Sequence, residues 1–459
     1  MKGDFLVKNV KKILSFLLSF VLLSSMLTYG TLASEEGVEP VEAVAGDVNG
    51  DGEVDLKDLL TLRKYLANYN YSTDTSTFEV SAGADANGDG KVSILDITEL
   101  REYLAELEQG GGNEPGEEID NFSAVYPEDG GSVVLANETV YNWWKSFDGT
   151  SNTVPSPMMA DVYFPVPVTL EWTCKENATY YLVYVSTNED MSDAMSFVTN
   201  KTTVQVENLF VGYNYYWQVD AICGSNMLRS EVFTFTTADS PRTVTIEGVS
   251  NTRDIGGLPT ADGNRIAQGM IYRGGKLNDI TEKGKQQFLH VLGIKTDYDL
   301  RTIGEGGAGV KSPVSDSLKY FNFDGRYYVG PYGKGFDTEE GKAIMADEVR
   351  VFADPSNYPV YIHCSLGRDR TGTIVFIIQA LCGVERTDLL MDYEMSMFSV
   401  SGTLDGGNPF DAIKATYTYI NDNYEGDSFA EKTENYLLSI GITADEIATI
   451  RSIMIEEVK

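Results

Sequence analysis

The sequence has 459 residues, with 35 Lys and Arg against 69 Asp and Glu, a formal charge of −34 and 42% hydrophobic residues. That length exceeds one ordinary core, so about two to four domains are expected. The acidity excludes nucleic acid and an anionic membrane surface as partners, because both repel such a chain, but it allows a locally basic cleft for a small anion.

At the N-terminus, Lys2, Lys8, Lys11 and Lys12 precede an apolar run from Ile13 to Leu27, and Thr31-Leu32-Ala33 follows before Ser34. This order of charged, apolar and small residues predicts a secretory signal peptide over residues 1–33. The run is short for a membrane anchor, and no later segment is long and apolar enough to span a bilayer. A secreted protein in an extracellular or cell-surface complex is therefore expected. Removing residues 1–33, with four Lys and one Asp, takes the formal charge from −34 to −37. Four cysteines, Cys174, Cys223, Cys364 and Cys382, are too few for a disulfide-dense scaffold.

The segments DVNGDGEVDLKD (47–58) and DANGDGKVSILD (85–96) are an internal repeat. Positions one, three, five, nine and twelve carry oxygen side chains, and position six is Gly. In the first copy these are Asp47, Asn49, Asp51, Asp55 and Asp58; in the second, Asp85, Asn87, Asp89, Ser93 and Asp96. The carbonyls of Glu53 and Lys91 at position seven add backbone ligands. Calcium needs six to eight oxygens around one point, and such an alternating, sharply turning loop supplies them. Apolar-periodic helices, LLTLRKYLANY and ITELREYLAEL, follow the two loops. The alternative is a pair of acidic surface turns. The tandem unit resembles a type I dockerin over residues 46–108. The resemblance implies two calcium ions, calcium-dependent folding and a cohesin module of a scaffoldin as partner. It also places cohesin contacts at Leu56-Lys57 and Ile94-Leu95.

Residues 109–119 are rich in Gly and Glu and predict a flexible, self-repelling linker. From 120 to 239, strand-like runs such as VTLEWTC, TYYLVYVST, YNYYWQVDAI and VFTFTT lie between polar turns, which predicts an all-β sandwich. Trp172 and the Leu209, Gly212, Tyr213 turn resemble a fibronectin type III domain. Cys174 and Cys223 fall at one pole, as a disulfide or as two thiols. Trp143-Trp144 is a sugar-binding platform or, on the plainer reading, part of the core. A spacer role is assigned to this module.

Residues 240–459 alternate strand and helix signals, which predicts an α/β domain with a central, mainly parallel sheet. YPVYIHC is a buried strand and TGTIVFIIQALCG an apolar helix closed by Gly383. Between them lies HCSLGRDRTG (363–372). Successive N–H groups of Ser365, Leu366, Gly367, Arg368 and Asp369 can form an anion nest topped by a helix N-terminus. Arg370 adds a bidentate fork. The same field favours a Cys364 thiolate, the nucleophile for attack on phosphorus. The Thr371 hydroxyl is placed to assist the departing thiolate, and His363 to fix the shape of the loop. The rivals are a charged turn with a structural thiol and a metal site, which lacks a second His or Cys at ligand spacing.

These residues resemble the cysteine-dependent protein tyrosine phosphatase superfamily, in particular its bacterial branch with a His-Cys-x-x-Gly-Lys-Asp-Arg-Thr-Gly loop. Arg368 stands in the Lys position. NTRDIGG (251–257), YRGGKL (272–277) and DLRT (299–302) extend the resemblance over most of 245–400. It implies a phosphocysteine intermediate on Cys364, no cofactor for catalysis, Asp369 as general acid, and Arg253 and Asp254 as supports of the loop. Asp324 or Asp337, in or beside a lid-like 325–340 stretch, is the alternative acid. Three functions follow from these readings. The first is a secreted phosphatase acting on phosphotyrosine or another phosphomonoester of a protein or small molecule. The second is a phosphoinositide or inositol phosphate phosphatase, for which Arg368 supplies extra charge. The third is a non-catalytic phosphate-binding adaptor.

Overall fold

The strand signals between 120 and 239 come from residues that alternate in and out of a core. In the computed structural model, Val168, Leu170 and Trp172 of VTLEWTC and Phe233, Phe235 and Thr237 of VFTFTT point inward, with their neighbours less buried. The structure describes residues 44–54, 58, 61–62, 80–88, 92, 96, 99–100, 121–149, 163–192, 194–223, 226–329, 335–399 and 409–458. The signal peptide and linker readings at 1–33 and 109–119 lie outside them, as do Leu56-Lys57 and Ile94-Leu95.

Around the acidic repeats, Val48, Leu62, Ala84, Ala86 and Leu100 form a small buried core. Val48 and Ala86 hold the same position in the two copies, and the Ser81 N–H donates to the Val48 carbonyl (2.8 Å).

Among the described residues, the next module has nine strands: β1 (Phe122–Tyr126), β2 (Gly131–Val133), β3 (Val168–Cys174), β4 (Tyr180–Ser186), β5 (Met195–Thr199), β6 (Thr203–Val206), β7 (Asn214–Cys223), β8 (Asn226–Arg229) and β9 (Phe233–Thr237). They form two sheets, β1-β3-β6 and β2-β9-β7-β4-β5, with β8 on β7. The sheets share one core, in which Leu170, Trp172 and Val206 meet Val183, Trp217 and Phe235. Cys174 and Cys223 end β3 and β7 as free, half-buried thiols.

One helix interrupts the strands. Helix α1 (Glu138–Ser146) starts at Asn137, whose side chain accepts from the Thr139 N–H. Its Val140 and Trp143, together with Tyr163, pack into the α/β core. Trp143 is therefore a buried anchor and not a face of a sugar platform; the periodicity of two that marks the strands cannot register a nine-residue helix whose partner lies over a hundred residues away.

The α/β domain begins with β10 (Arg253–Asp254), β11 (Arg265–Ile266) and β12 (Ile271–Gly274). Helix α2 (Glu282–Gln286) continues into a π turn before β13 (Thr296–Asp299) and β14 (Lys319–Asn322). Helix α3 (Glu339–Arg350) precedes β15 (Val360–His363) and α4 (Asp369–Leu381). Helices α5 (Arg386–Glu394), α6 (Pro409–Asn423), α7 (Phe429–Ser439) and α8 (Ala444–Met454) follow, and β16 (Ile455–Glu456) pairs with β11.

The central sheet runs β10-β12-β15-β13-β14, parallel except for β10. β15 lies in the middle, so its side chains are buried on both faces, as its continuous apolar sequence requires. Helix α4 is buried at every position from Thr371 to Leu381, which its nearly unbroken apolar sequence demands. Register sets Gly274, His363 and Asp299 at one level. The chain leaves β15 at the carboxyl end of the sheet, where α/β folds bind their ligands.

The sandwich is fixed to this domain by polar contacts. Arg242 donates to the carbonyls of Asn208 (2.7 Å) and Leu209 (2.9 Å) and pairs with Asp254. Gln268 exchanges two hydrogen bonds with the Val211 backbone, at 3.0 and 2.8 Å. Burial pushes the Asp254 carboxyl up, opposed by the charge of Arg242 and by N–H bonds from Gly269 and Gly256. Arg242→Ala leaves that carboxylate buried without its cation and is expected to cost about 3–5 kcal/mol in urea unfolding. An unchanged midpoint would show that the contact carries no stability.

Candidate active site

The loop between β15 and α4 is shaped by one glycine and two arginines. Gly367 sits at φ +70°, and a Cβ there would meet the Gly274 carbonyl oxygen at 2.1 Å. No other residue fits without moving the neighbouring strand end. The Gly367 N–H donates to Cys364 Sγ (3.3 Å), while its carbonyl accepts from Arg273 Nη2 (2.9 Å). Arg273 and Arg253 both pair with Asp392 on α5. Arg253 Nε lies 2.8 Å from Asp392 Oδ1, and its Nη2 reaches the Asp392 carbonyl (2.7 Å) and Ser396 Oγ (3.2 Å). Its Nη1 donates to Asn251 Oδ1 (2.7 Å) and Tyr163 OH (3.1 Å). Asn251 in turn donates to the Leu366 carbonyl (2.9 Å). Gly372 is the other close approach, since a Cβ would lie 2.8 Å from the Tyr393 ring and 3.0 Å from Arg273 Nη2.

Cys364 is 4% exposed. Burial, the largest influence, pushes its thiol up, but the Arg370 charge together with the Thr371 hydroxyl and N–H holds it below the ordinary value. The Thr371 hydroxyl is buried, and among the described residues it makes no hydrogen bond of normal geometry. The two Arg370 Nη groups fork onto Glu305 at 2.8 and 2.9 Å, and Nη1 also donates to the Leu300 carbonyl (3.3 Å). These bonds leave Nε–H and one Nη2–H for an anion in the loop. Burial opposes the Arg370 charge most, and the Glu305 hydrogen bond together with the charges of Cys364 and Glu305 overrides it. Glu305 also accepts from Ser365 Oγ (2.5 Å), and its carboxyl falls to about 2, first through Arg370 and then through Ser365.

His363 is fully buried on the opposite side of the strand from the thiol. Its Nε2 lies 2.9 Å from Asp297 Oδ1 and its Nδ1 3.2 Å from the Cys364 carbonyl. Burial disfavours its charge, but Asp297 and Asp299 raise its pKa. Asp369 opens α4, where Oδ1 accepts from Tyr328 OH (2.5 Å), Tyr393 OH (3.0 Å) and Arg368 Nε (3.0 Å). Arg368 is 3% exposed, with its Nε on Asp369. Asp254 lies on the sandwich-facing side with Arg242, away from the loop that Arg253 supports. Asp324 is held below its usual range by the Thr302 hydroxyl and by Arg326, which disfavours a stored proton; Asp337 is exposed. Cys382 is pushed up to about 12 by burial, at the far end of a 13-residue helix of about 20 Å.

In the acidic repeats, carboxylate oxygens of Asp47, Asp51 and Asp58 lie within 4.8 Å of one another. Asp58 accepts from the Asn49 N–H (3.0 Å) and Asp96 from the Asn87 N–H (3.1 Å), the same bond in both copies. A convergent set of hard oxygens fits calcium. Asp55, Asp89, Lys91 and Ser93 lie outside the described residues. Asn49, Glu53 and Asp85 stand on the described stretches of the loops.

Glu305, Asp392, Arg273, Asp297, Tyr328, Tyr393 and Tyr163 were not singled out from sequence. Glu305 follows DLRT by three residues, and Asp392 is an acid within the apolar helix DLLMDYEM; both patterns carried a signal.

Strand, loop and helix thus bring together a buried thiol, the Gly367 N–H and the Arg370 fork, an arrangement whose charge suits an anion. Residues 244–456 match the tyrosine phosphatase family, and residues 45–105 match the dockerin type I domain. A Cupriavidus necator protein named as a candidate tyrosine-protein phosphatase is 27% identical over 168 residues, 32% of this chain and 59% of its own length. A Dictyostelium discoideum protein named likewise is 28% identical over 129 residues, 27% of this chain and 69% of its own. Among the described residues, no helix is long and apolar enough to cross a membrane.

A depressed carboxyl stabilises the fold above its ordinary value of 4.5, and the contribution disappears as pH falls toward about 2. Glu305→Gln should therefore be less stable than the parent at pH 7, with the gap closing between pH 4.5 and 2 in urea titrations. A gap independent of pH would contradict the Arg370–Glu305 pairing.

Proposed function

We propose that this chain is a secreted cysteine-dependent phosphatase that hydrolyses phosphotyrosine or a similar phosphomonoester. The observation that carries the reading is Cys364, whose sulfur accepts from the Gly367 N–H in a loop closed by Arg370. Substrate phosphate takes the nest of N–H groups and the remaining Arg370 donors. Cys364 Sγ bonds to phosphorus as the P–O bond to the leaving group breaks, and Asp369 gives that oxygen its proton. Water then attacks phosphorus, its proton passes to Asp369, the S–P bond breaks, and Thr371 steadies the departing thiolate. The Asp369 Oδ2 atom carries none of the bonds made by Oδ1, which supports this role. Tyr327, half-buried near Arg370, offers an aromatic wall to an aryl phosphate. The burial of Arg368 weighs against a preference for inositol phosphates, and the thiol nucleophile weighs against a purely binding role.

The dockerin type I module supports attachment to a cohesin-bearing scaffold through two calcium loops, and the leader at 1–33 supports secretion. The sheet order β1-β3-β6 against β9-β7-β4-β5 supports a fibronectin III-like reading of the middle module.

Cys364→Ser is expected to lose p-nitrophenyl phosphate turnover by about a thousandfold or more, while Asp369→Asn lowers turnover of an alkyl phosphate more than that of p-nitrophenyl phosphate, whose leaving group has little need of a proton. Full turnover by Cys364→Ser would overturn the reading. Calcium chelation should abolish cohesin binding and reduce helical circular dichroism from residues 46–108. Binding that persists in EDTA would contradict the calcium loops.

A further inference from the structure

The matched family segment begins at residue 244, yet the network that shapes the loop reaches upstream of it. Arg253 has five N–H donors, and five hydrogen bonds are in place: two to Asp392, one to Ser396, one to Asn251 and one to Tyr163. The Tyr163 hydroxyl is 3.1 Å from Arg253 Nη1, and the two side chains are each 1% exposed. Tyr163 lies between β2 and β3 of the sandwich, in the same connection as α1. That connection is anchored in the α/β core by Trp143, whose ring packs edge-on to Phe398 at 5.1 Å. Phe398 ends the turn Met395–Phe398 that follows Asp392 and contains Ser396, so one short stretch receives both the tryptophan and the arginine.

We infer that Tyr163 is a positioning residue for the phosphate loop, supplied by the middle module, and that this module is part of the catalytic unit. The inference rests on the phosphatase reading of Cys364 but deepens it. The path is explicit: Tyr163 fills the last donor of Arg253, which together with Arg273 holds Asp392. The Nη1 that bonds Tyr163 also holds Asn251 Oδ1, Asn251 Nδ2 holds the Leu366 carbonyl, and the N–H of that same peptide, on Gly367, faces Cys364 Sγ. Loosening this chain turns the Gly367 peptide and weakens a donor to the thiolate.

The test is Tyr163→Phe in the full chain, which keeps the ring and removes only the hydroxyl. Two quantities are read at 25 °C: kcat and KM on p-nitrophenyl phosphate, and the pH dependence of Cys364 alkylation by iodoacetamide. The expected result is a kcat lowered about ten-fold with KM little changed, and an alkylation midpoint moved up by about half a pH unit. A variant with a lower thermal midpoint but unchanged kcat and alkylation profile would make Tyr163 merely structural and overturn the inference. The alkylation profile needs no turnover. If the parent hydrolyses no phosphomonoester and the midpoint still shifts, the phosphatase reading fails while the coupling of Tyr163 to Cys364 stands.

Discussion

Asp392 carries a single negative charge between two buried arginines, Arg253 and Arg273. A buried ion pair gains little net stability, but losing one partner strands the other. Here the arrangement works as a clamp. Each guanidinium spends part of its fork on Asp392 and another part on the loop: Arg273 on the Gly367 carbonyl, and Arg253 through Asn251 on the Leu366 carbonyl. With the Leu366 carbonyl drawn outward, the N–H of the same peptide, on Gly367, turns toward Cys364 Sγ.

The charges at the mouth are balanced in the same way. Arg370 favours the thiolate, Glu305 holds Arg370 in position, and Ser365 ties Glu305 back to the loop. Arg368, which from sequence looked available to substrate, is turned inward onto Asp369. Among the described residues, the Arg370 fork and the loop backbone are the donors that the proposed reading offers to a phosphoryl group.

The strand, loop and helix around Cys364 were legible because their sequence is local: a buried apolar run, a turn containing glycine, an apolar helix. NTRDIGG and DLRT also pointed to the domain, although the role of Asp254 differs, since it faces Arg242 and the sandwich. What sequence could not reveal is long-range. Asp392 acts about 140 positions from Arg253, and Tyr163 about 90, and no periodicity links residues so separated. Trp143 sits in an amphipathic helix within a region otherwise dominated by strand patterns, so its burial against Phe398 had no local signature. The acidic repeats were readable in both copies because ligand spacing is itself a sequence pattern.

The middle module thus shares a core with the domain that follows it, and the proposed chemistry depends on contacts that cross the boundary. That chemistry begins with attack of Cys364 Sγ on phosphorus in this loop. A crystal structure of the full chain soaked in orthovanadate tests it most directly. The account predicts vanadium bonded to Cys364 Sγ, its equatorial oxygens on loop N–H groups and on Arg370 Nε and Nη2. Vanadate bound elsewhere, or a loop left empty at saturating concentration, would contradict it.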